Sequence, residues 1–287
     1  MGGIGNQMFQ YAVGRRLAHF HRTELKLDLS WFDAVAAIKT VRKYELPVFK
    51  IQAQVASNGE TARYRRTRLL KRFEQLLPIS LVSRDKRYIS EKHYHFDPGI
   101  LILPDNIYLD GYWQSPRYFD DIKDIIRDEF TIRTEPDAEN HLIAEEIMRT
   151  ESVSIHVRRG DYISDSTTNS IHGVCSLEYY RSAVKMMEQK VKRPFYFVFS
   201  DDPRWAEDNL ASICPATFVS HHMPDKPYED MRLMTLCKHH IIANSSFSWW
   251  GAWLSLNADK VVIAPTQWFR DETVSTRDLI PRQWIRL

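Results

Sequence analysis

Ser154-Ile155-His156-Val157-Arg158-Arg159-Gly160-Asp161-Tyr162 follows a polar helical segment, Asn140 to Glu151. The run Val153 to Val157 alternates apolar and polar residues and reads as a buried strand. Gly160 then interrupts it. Such a strand delivers two guanidinium groups, a carboxylate and a phenol to its carboxyl end, where open α/β sheets take their ligands. Guanidinium offers forked donors that match phosphate geometry and stays charged at any working pH. Strand neighbours point to opposite faces, and Gly160 lets the loop turn the second arginine inward. The plainer reading is a strand end carrying surface ion pairs.

Outward from there, the second half alternates strands and helices. A polar loop is expected over 164–172, a helix over Leu177–Lys190 and an apolar strand over Pro194–Phe199. Ser200-Asp201-Asp202-Pro203 caps a helix running to about Leu210. Thr217–Ser220 is a short strand, Pro227–Cys237 a helix and His239–Ala243 a strand. Asn244-Ser245-Ser246-Phe247-Ser248 opens the helix Trp249–Leu256, Val261–Ala264 is the last strand, and a Trp-bearing tail follows. This rhythm argues for a parallel sheet with helices on both faces.

The first half opens with Gly2-Gly3-Ile4-Gly5-Asn6-Gln7, after which Met8, Phe9, Tyr11, Ala12, Leu17 and Ala18 recur at helical spacing. A Gly-rich turn opening a helix presents backbone N–H groups and a positive dipole end to a phosphate or sugar. Such a turn normally follows an apolar strand, so a first strand is expected to be missing ahead of Met1, or the start to be placed late. Glu24–Asp28 reads as a short strand, 41–52 as an extended segment, and Ile107–Asp110 as a strand ending in Gly111-Tyr112-Trp113-Gln114-Ser115-Pro116. Those aromatics and the amide suit sugar faces and hydroxyls; a packed loop explains them too. Helices are expected over Tyr118–Glu129 and Asp137–Arg149, with the domain boundary near residue 150. Ala62–Leu77 reads as a basic helix carrying Arg63, Arg65, Arg66, Arg68, Lys71 and Arg72. It is either a solvated face or a peripheral contact for an anionic membrane or glycolipid.

With 287 residues the chain has room for two α/β domains. A net charge of +2 gives no global pointer to nucleic acid. Three scattered cysteines, Cys175, Cys214 and Cys237, fit a reducing compartment and no structural zinc. No apolar run approaches the ~20 residues of a membrane span, and the glycines near the start do not read as a signal peptide, so a cytosolic location is expected.

Three strand-to-helix corners share a character. Arg158 and Arg159 supply positive charge, Asp201 and Asp202 supply acceptors for ribose hydroxyls or a guanine edge, and Ser245, Ser246 and Ser248 supply hydroxyls and N–H groups at a helix start. On one parallel sheet they converge as a nucleotide diphosphate site. Helix capping competes as an explanation for both the Asp pair and Asn244–Ser248. No Asp-x-Asp triplet occurs, so arginine and helix dipoles, rather than a metal, are expected to neutralise the leaving diphosphate.

Gly2-Gly3-Ile4-Gly5-Asn6-Gln7-Met8-Phe9-Gln10-Tyr11, His156-Val157-Arg158-Arg159-Gly160-Asp161-Tyr162 and Asn244-Ser245-Ser246-Phe247-Ser248-Trp249-Trp250-Gly251 resemble the motifs of bacterial α-1,2-fucosyltransferases. So do Gly173–Tyr180 and Phe199-Ser200-Asp201-Asp202. The resemblance implies two facing Rossmann-like domains of GT-B type. Residues 1–150 would form the acceptor side, and 151–287 would bind GDP-β-L-fucose. It implies inverting transfer to the 2-hydroxyl of a terminal β-galactoside, in O-antigen or other surface oligosaccharide synthesis, without a metal. Arg158 would bind the β-phosphate, supported by Arg159, which otherwise pairs with Asp161. Asn6 would orient fucose or acceptor, and Asp201 or Asp202 would reach the nucleoside. Asn244, Ser245, Ser246, Phe247 and Ser248 would line the phosphate or fucose, with His156 either a contact or a packed histidine. Asp161 is the first candidate base, ahead of Glu229 and Asp230, and the departing phosphate is the alternative. A fucosyltransferase of another linkage, such as α-1,6, and a non-catalytic carbohydrate-binding protein are the rival classes.

Overall fold

The computed structural model describes residues 1–35, 42–62, 64, 87–220, 226–271 and 273–287. Apart from Ala62 and Tyr64, the expected basic helix lies outside them. The chain divides into two compact units, Met1–Thr131 with Arg277–Leu279, and Ile132–Thr276 with Ile280–Leu287. The division falls before the helix Ala138–Arg149 rather than after it. That helix puts Ala144 and Ile147 into a core shared with Phe197, Phe199, Leu233 and Met234, so its apolar face commits it to the second unit.

In the first unit, α1 (Ile4–His21) is buried nearly all round. A side chain at Gly14 would meet Leu25 Cδ1 at 2.8 Å, so a larger residue there would push that leucine aside. Two small parallel sheets follow: β1 (Lys26–Leu27) with β2 (Gln54–Val55), and β3 (Tyr88–Ser90) with β4 (Tyr108–Asp110). Both border a cavity of about 660 Å³. The short helices α2 (Ser30–Val35) and α3 (Lys123–Glu129) complete the unit. Strands β2 and β3 depart from the expectation; two or three residues carry no readable period. The Tyr118–Glu129 helix is α-helical only from Lys123, being 3-10 before it.

The second unit is a six-stranded parallel sheet. After α4 (Ala138–Arg149) come β5 (Ser152–Val157), α5 (Gly160–Ser164), α6 (Ser166–His172), α7 (Leu177–Lys190), β6 (Phe195–Ser200), α8 (Pro203–Leu210) and β7 (Ala216–Val219). Then come α9 (Pro227–Leu236), β8 (His239–Ile241), α10 (Ser246–Leu254), β9 (Val262–Ala264) and β10 (Ile285–Arg286). The order is β7-β6-β5-β8-β9-β10, the 3-2-1-4-5-6 arrangement of a doubly wound sheet, whose order reverses between β5 and β8. One face packs Val153, Ile155 and Val157 against α7 and α8; the other packs Phe197 and Phe199 against α4 and α9. With both faces covered, all six residues of β5 are buried. Its polar positions therefore need internal partners, and Ser154 Oγ finds His240 Nδ1 at 2.8 Å.

Two further expectations change. The 164–172 loop is mostly helical: Asn169 donates to Tyr162 O at 2.6 Å and accepts at its own carbonyl from Gly173 N at 2.9 Å. The tail is not free of strand, because β10 pairs with β9 through Ile285–Ile263. Among the described residues no helix is long and apolar enough to cross a membrane.

Candidate active site

The register of β5 and β6 builds the site. Val157 lies opposite Ser200, so the next rungs would set Arg158 beside Asp201 and Arg159 beside Asp202. Arg158 Nη1 stands 2.9 Å from Asp201 Oδ2, and Arg159 Nε stands 3.4 Å from Asp202 Oδ2. The amide of Arg159 donates to Asp201 Oδ1 at 2.8 Å. A side chain at Gly160 would come within 2.6 Å of Asp201 Oδ2, so glycine lets this carboxylate enter the corner. The Arg158 guanidinium lies 5.3 Å from the Tyr162 ring, and that of Arg159 lies 3.8 Å from Trp205, stacking that fixes a planar cation.

The aspartates thus hold the arginines here. Asp202 also accepts from Trp205 N at 3.3 Å as the cap of α8, the competing explanation for this residue. Arg159 pairs with Asp202. Asp161 lies in α5, and its side chain is outside the described part. Glu229 is buried and bound to Arg232 at 2.8 Å, which engages it structurally.

At the β8 corner, Asn244 is a structural clamp. Its Nδ2 donates to His172 O at 2.9 Å and to Trp268 O at 3.2 Å, and its Oδ1 accepts from Cys175 Sγ at 3.6 Å. Ser245 Oγ accepts from Phe247 N at 3.3 Å and caps α10. Ser248 is buried, its hydroxyl donating to Ala243 O at 3.3 Å and Ser245 O at 3.2 Å. Of the three serines expected to meet an anion, only Ser246, in the first turn of α10, is partly exposed. The Tyr162 hydroxyl donates to Asn244 O at 3.4 Å, and the His156 ring lies 5.3 Å from that of Phe247. The β5 and β8 corners therefore meet across the point where the strand order reverses.

His156 is almost fully buried, and its Nδ1 has no hydrogen-bond partner among the described residues. Burial, with the Arg158 charge adding, pushes its pKa down to about 3, so it is a neutral packed imidazole rather than an acid–base group. Trp205 and Tyr162 receive no role from sequence. Trp205 is readable as the third residue after a capping aspartate, which aims it back over the strand end.

Asn6 belongs to the first unit. Its Oδ1 accepts from Gln114 Nε2 at 2.7 Å, joining the Gly-rich turn to the corner after β4.

The sequence matches the family described as Glycosyl transferase family 11 across residues 2–287. It is 36% identical over 290 residues to an alpha-1,2-colitosyltransferase of Escherichia coli, covering all of this chain and 96% of that one. It is 33% identical to the O-antigen biosynthesis glycosyltransferase WbnK of Escherichia coli, covering 100% of this chain and 98% of the relative. Against galactoside alpha-(1,2)-fucosyltransferase 1 of Bos taurus the identity is 26%, covering 92% of this chain and 67% of the relative. In fold it is similar to the selenomethionine crystal structure of fucosyltransferase NodZ from Bradyrhizobium, with a TM-score of 0.51 at 14% identity, covering 87% of this chain and 88% of that one.

Proposed function

Since the chain belongs to glycosyl transferase family 11 and has a two-unit α/β fold of GT-B type, we propose that it transfers L-fucose from GDP-β-L-fucose to the 2-hydroxyl of a terminal β-galactoside. The relatives named for an α-1,2 linkage support that regiochemistry, and WbnK supports a place in O-antigen synthesis. The observation that carries the reading is Arg158, held beside Asp201 at the strand-order reversal and next to the start of α10.

In the reaction the acceptor O2 attacks fucose C1 from the face opposite GDP. The C1–O bond to the β-phosphate breaks, its electron pair leaves with GDP, and the β-donor gives an α-product. Arg158 binds that phosphate, stabilising the negative charge as it develops. Ser246 and the first turn of α10 add dipole. Arg159, fixed by Asp202 and Trp205, supports the corner, and Asp201 or Asp202 reaches the nucleoside. The acceptor proton passes to Asp161 or to the departing phosphate; an Asp161→Asn variant keeping most of kcat would assign it to the phosphate. No divalent ion takes part.

Incubation with GDP-fucose and lactose in EDTA, with product linkage assigned by NMR, tests this reading. Metal-free formation of Fucα1-2Gal is the expected result, and strict dependence on magnesium or manganese overturns the metal-free step. GDP should raise the melting temperature, which a plain lectin would not show. A second donor is favoured by the full-length match to a colitosyltransferase. Colitose is L-fucose without its 3-hydroxyl, and the ratio of kcat/KM for the two GDP-sugars decides between them.

A further inference from the structure

Three costs fall on two neighbouring residues of the first unit. Trp113 has φ of 56°, which for a bulky side chain is a true outlier and stores backbone strain. Among the described residues its buried indole Nε1 has no hydrogen-bond partner, and neither has Gln114 Oε1. Each such group forfeits its hydration for nothing unless a partner answers it.

The backbone of this corner is held firmly. The Glu91 carboxylate accepts from Tyr112 N at 2.7 Å and Trp113 N at 3.0 Å. Gly111 lies so close that a side chain there would meet Glu91 Cβ at 2.4 Å. Ser115 Oγ donates to Asp278 O at 2.8 Å. Gln114 Nε2 is tied to Asn6 at 2.7 Å. What stays unanswered here among the described residues is one donor and one acceptor, on adjacent residues after the carboxyl end of β4.

We infer that Trp113 and Gln114 form the hydroxyl-recognising subsite for the acceptor sugar, with Asn6 positioning the Gln114 amide. The inference rests on the chain acting on a saccharide acceptor and deepens that reading. An anion has no hydrogen to give Gln114 Oε1, and Glu91 would repel it. A cation has no lone pair for the indole. A neutral pyranose satisfies both groups, since each hydroxyl donates and accepts.

Trp113→Phe deletes the N–H and keeps the ring; Gln114→Leu deletes the amide at similar volume. Each should raise the KM for lactose about tenfold, the worth of one hydrogen bond, with the KM for GDP-fucose and the protection by GDP within twofold of wild type. Saturation-transfer NMR with methyl β-galactoside, read without any donor, should weaken in both variants. Among monodeoxy galactosides, one that binds the wild type poorly should bind Trp113→Phe no worse than the parent sugar does. That matching would not arise from a merely structural tryptophan. Unchanged lactose KM in both variants overturns the proposal, as does a joint loss of donor and acceptor binding with a lowered melting temperature. If the wild type turns over no GDP-sugar, the proposed reaction fails on its own while galactoside binding still reads the corner; a wild type that binds no galactoside overturns the corner.

Discussion

The two units solve the same task differently. In the second, a continuous six-stranded sheet with both faces covered fixes each corner by ladder register. In the first, the strands are two or three residues long and lie in two separate pairs, which alone are marginal. There, side-chain hydrogen bonds hold the elements. Gln7 Nε2 donates to Gly2 O at 3.0 Å and Lys43 O at 2.8 Å, and Glu129 accepts from Tyr11 at 2.5 Å and Arg15 at 2.9 Å. Register positions residues through many weak bonds at once; a polar keystone positions them through a few expensive ones. The second unit should therefore tolerate loss of one polar contact, and the first should not.

The largest effect expected is on the sheet unit's core. Trp250 is fully buried and packs edge-on against Trp249 at 5.0 Å. Trp250→Ala should cost about 4 kcal/mol, read by urea unfolding with near-UV circular dichroism. A loss below about 1 kcal/mol would mean that α10 is not anchored by this cluster. Next comes the corner that the sheet carries. Arg158→Ala should lose about 3 kcal/mol of transition-state stabilisation in kcat/KM, comparable to removing an oxyanion donor, with stability little changed. Near-native turnover would contradict its role.

For the first unit, Glu129→Leu removes the keystone and leaves the Tyr11 hydroxyl and Arg15 guanidinium short of a partner. Burial and the Glu129 hydrogen bond push the Tyr11 pKa well up, so the phenol stays protonated and its hydrogen needs an acceptor. A loss of about 2 kcal/mol is expected, in the transition of the first unit alone if the units unfold separately. Equal loss in both transitions would erase the contrast between them.

The same contrast explains what is legible in the sequence. Strands β5, β6 and β8 and helix α7 carry period and caps, so the second unit and its three corners can be read from the order of residues alone. What pattern does not supply is register: only the Val157–Ser200 rung shows that Asp201 and Asp202 hold Arg158 and Arg159. Asn244 and Ser248 look like ligand groups because capping and ligand binding use the same residue types. In the first unit, β2 and β3 are too short to announce themselves. Its keystone joins residues 118 positions apart in sequence, Tyr11 and Glu129, with nothing local to mark the pair. The domain boundary is displaced for a related reason: α4 declares itself as a helix but not which core it joins.

Taken per group and per pH unit, the smallest effect is the response to acid, which reaches the two units through different groups. His156 has a folded pKa near 3 against an ordinary value of 6.5, and burial likewise holds His240 well below its ordinary value. Between those limits the unfolded chain takes up protons that the fold refuses. Stability of the second unit is thus intact above about pH 6.5 and falls as pH drops below it, by about 1.4 kcal/mol per pH unit for each such histidine. In the first unit, burial raises the pKa of Glu91 above its ordinary 4.5, against the two amide bonds that lower it. Its folded form holds the proton more tightly than the unfolded chain does, so this carboxyl opposes folding at neutral pH and relaxes as pH falls. Unfolding measured at steps from pH 7.5 to 4 should therefore weaken the second unit while Glu91 partly offsets acid loss in the first. His156→Leu should flatten the second unit's slope by one proton's worth and leave the first unit's profile unchanged. A second-unit transition that is level from pH 6.5 to 4 in the wild type would mean that His156 is not held neutral, and the packed-imidazole assignment would fall with it.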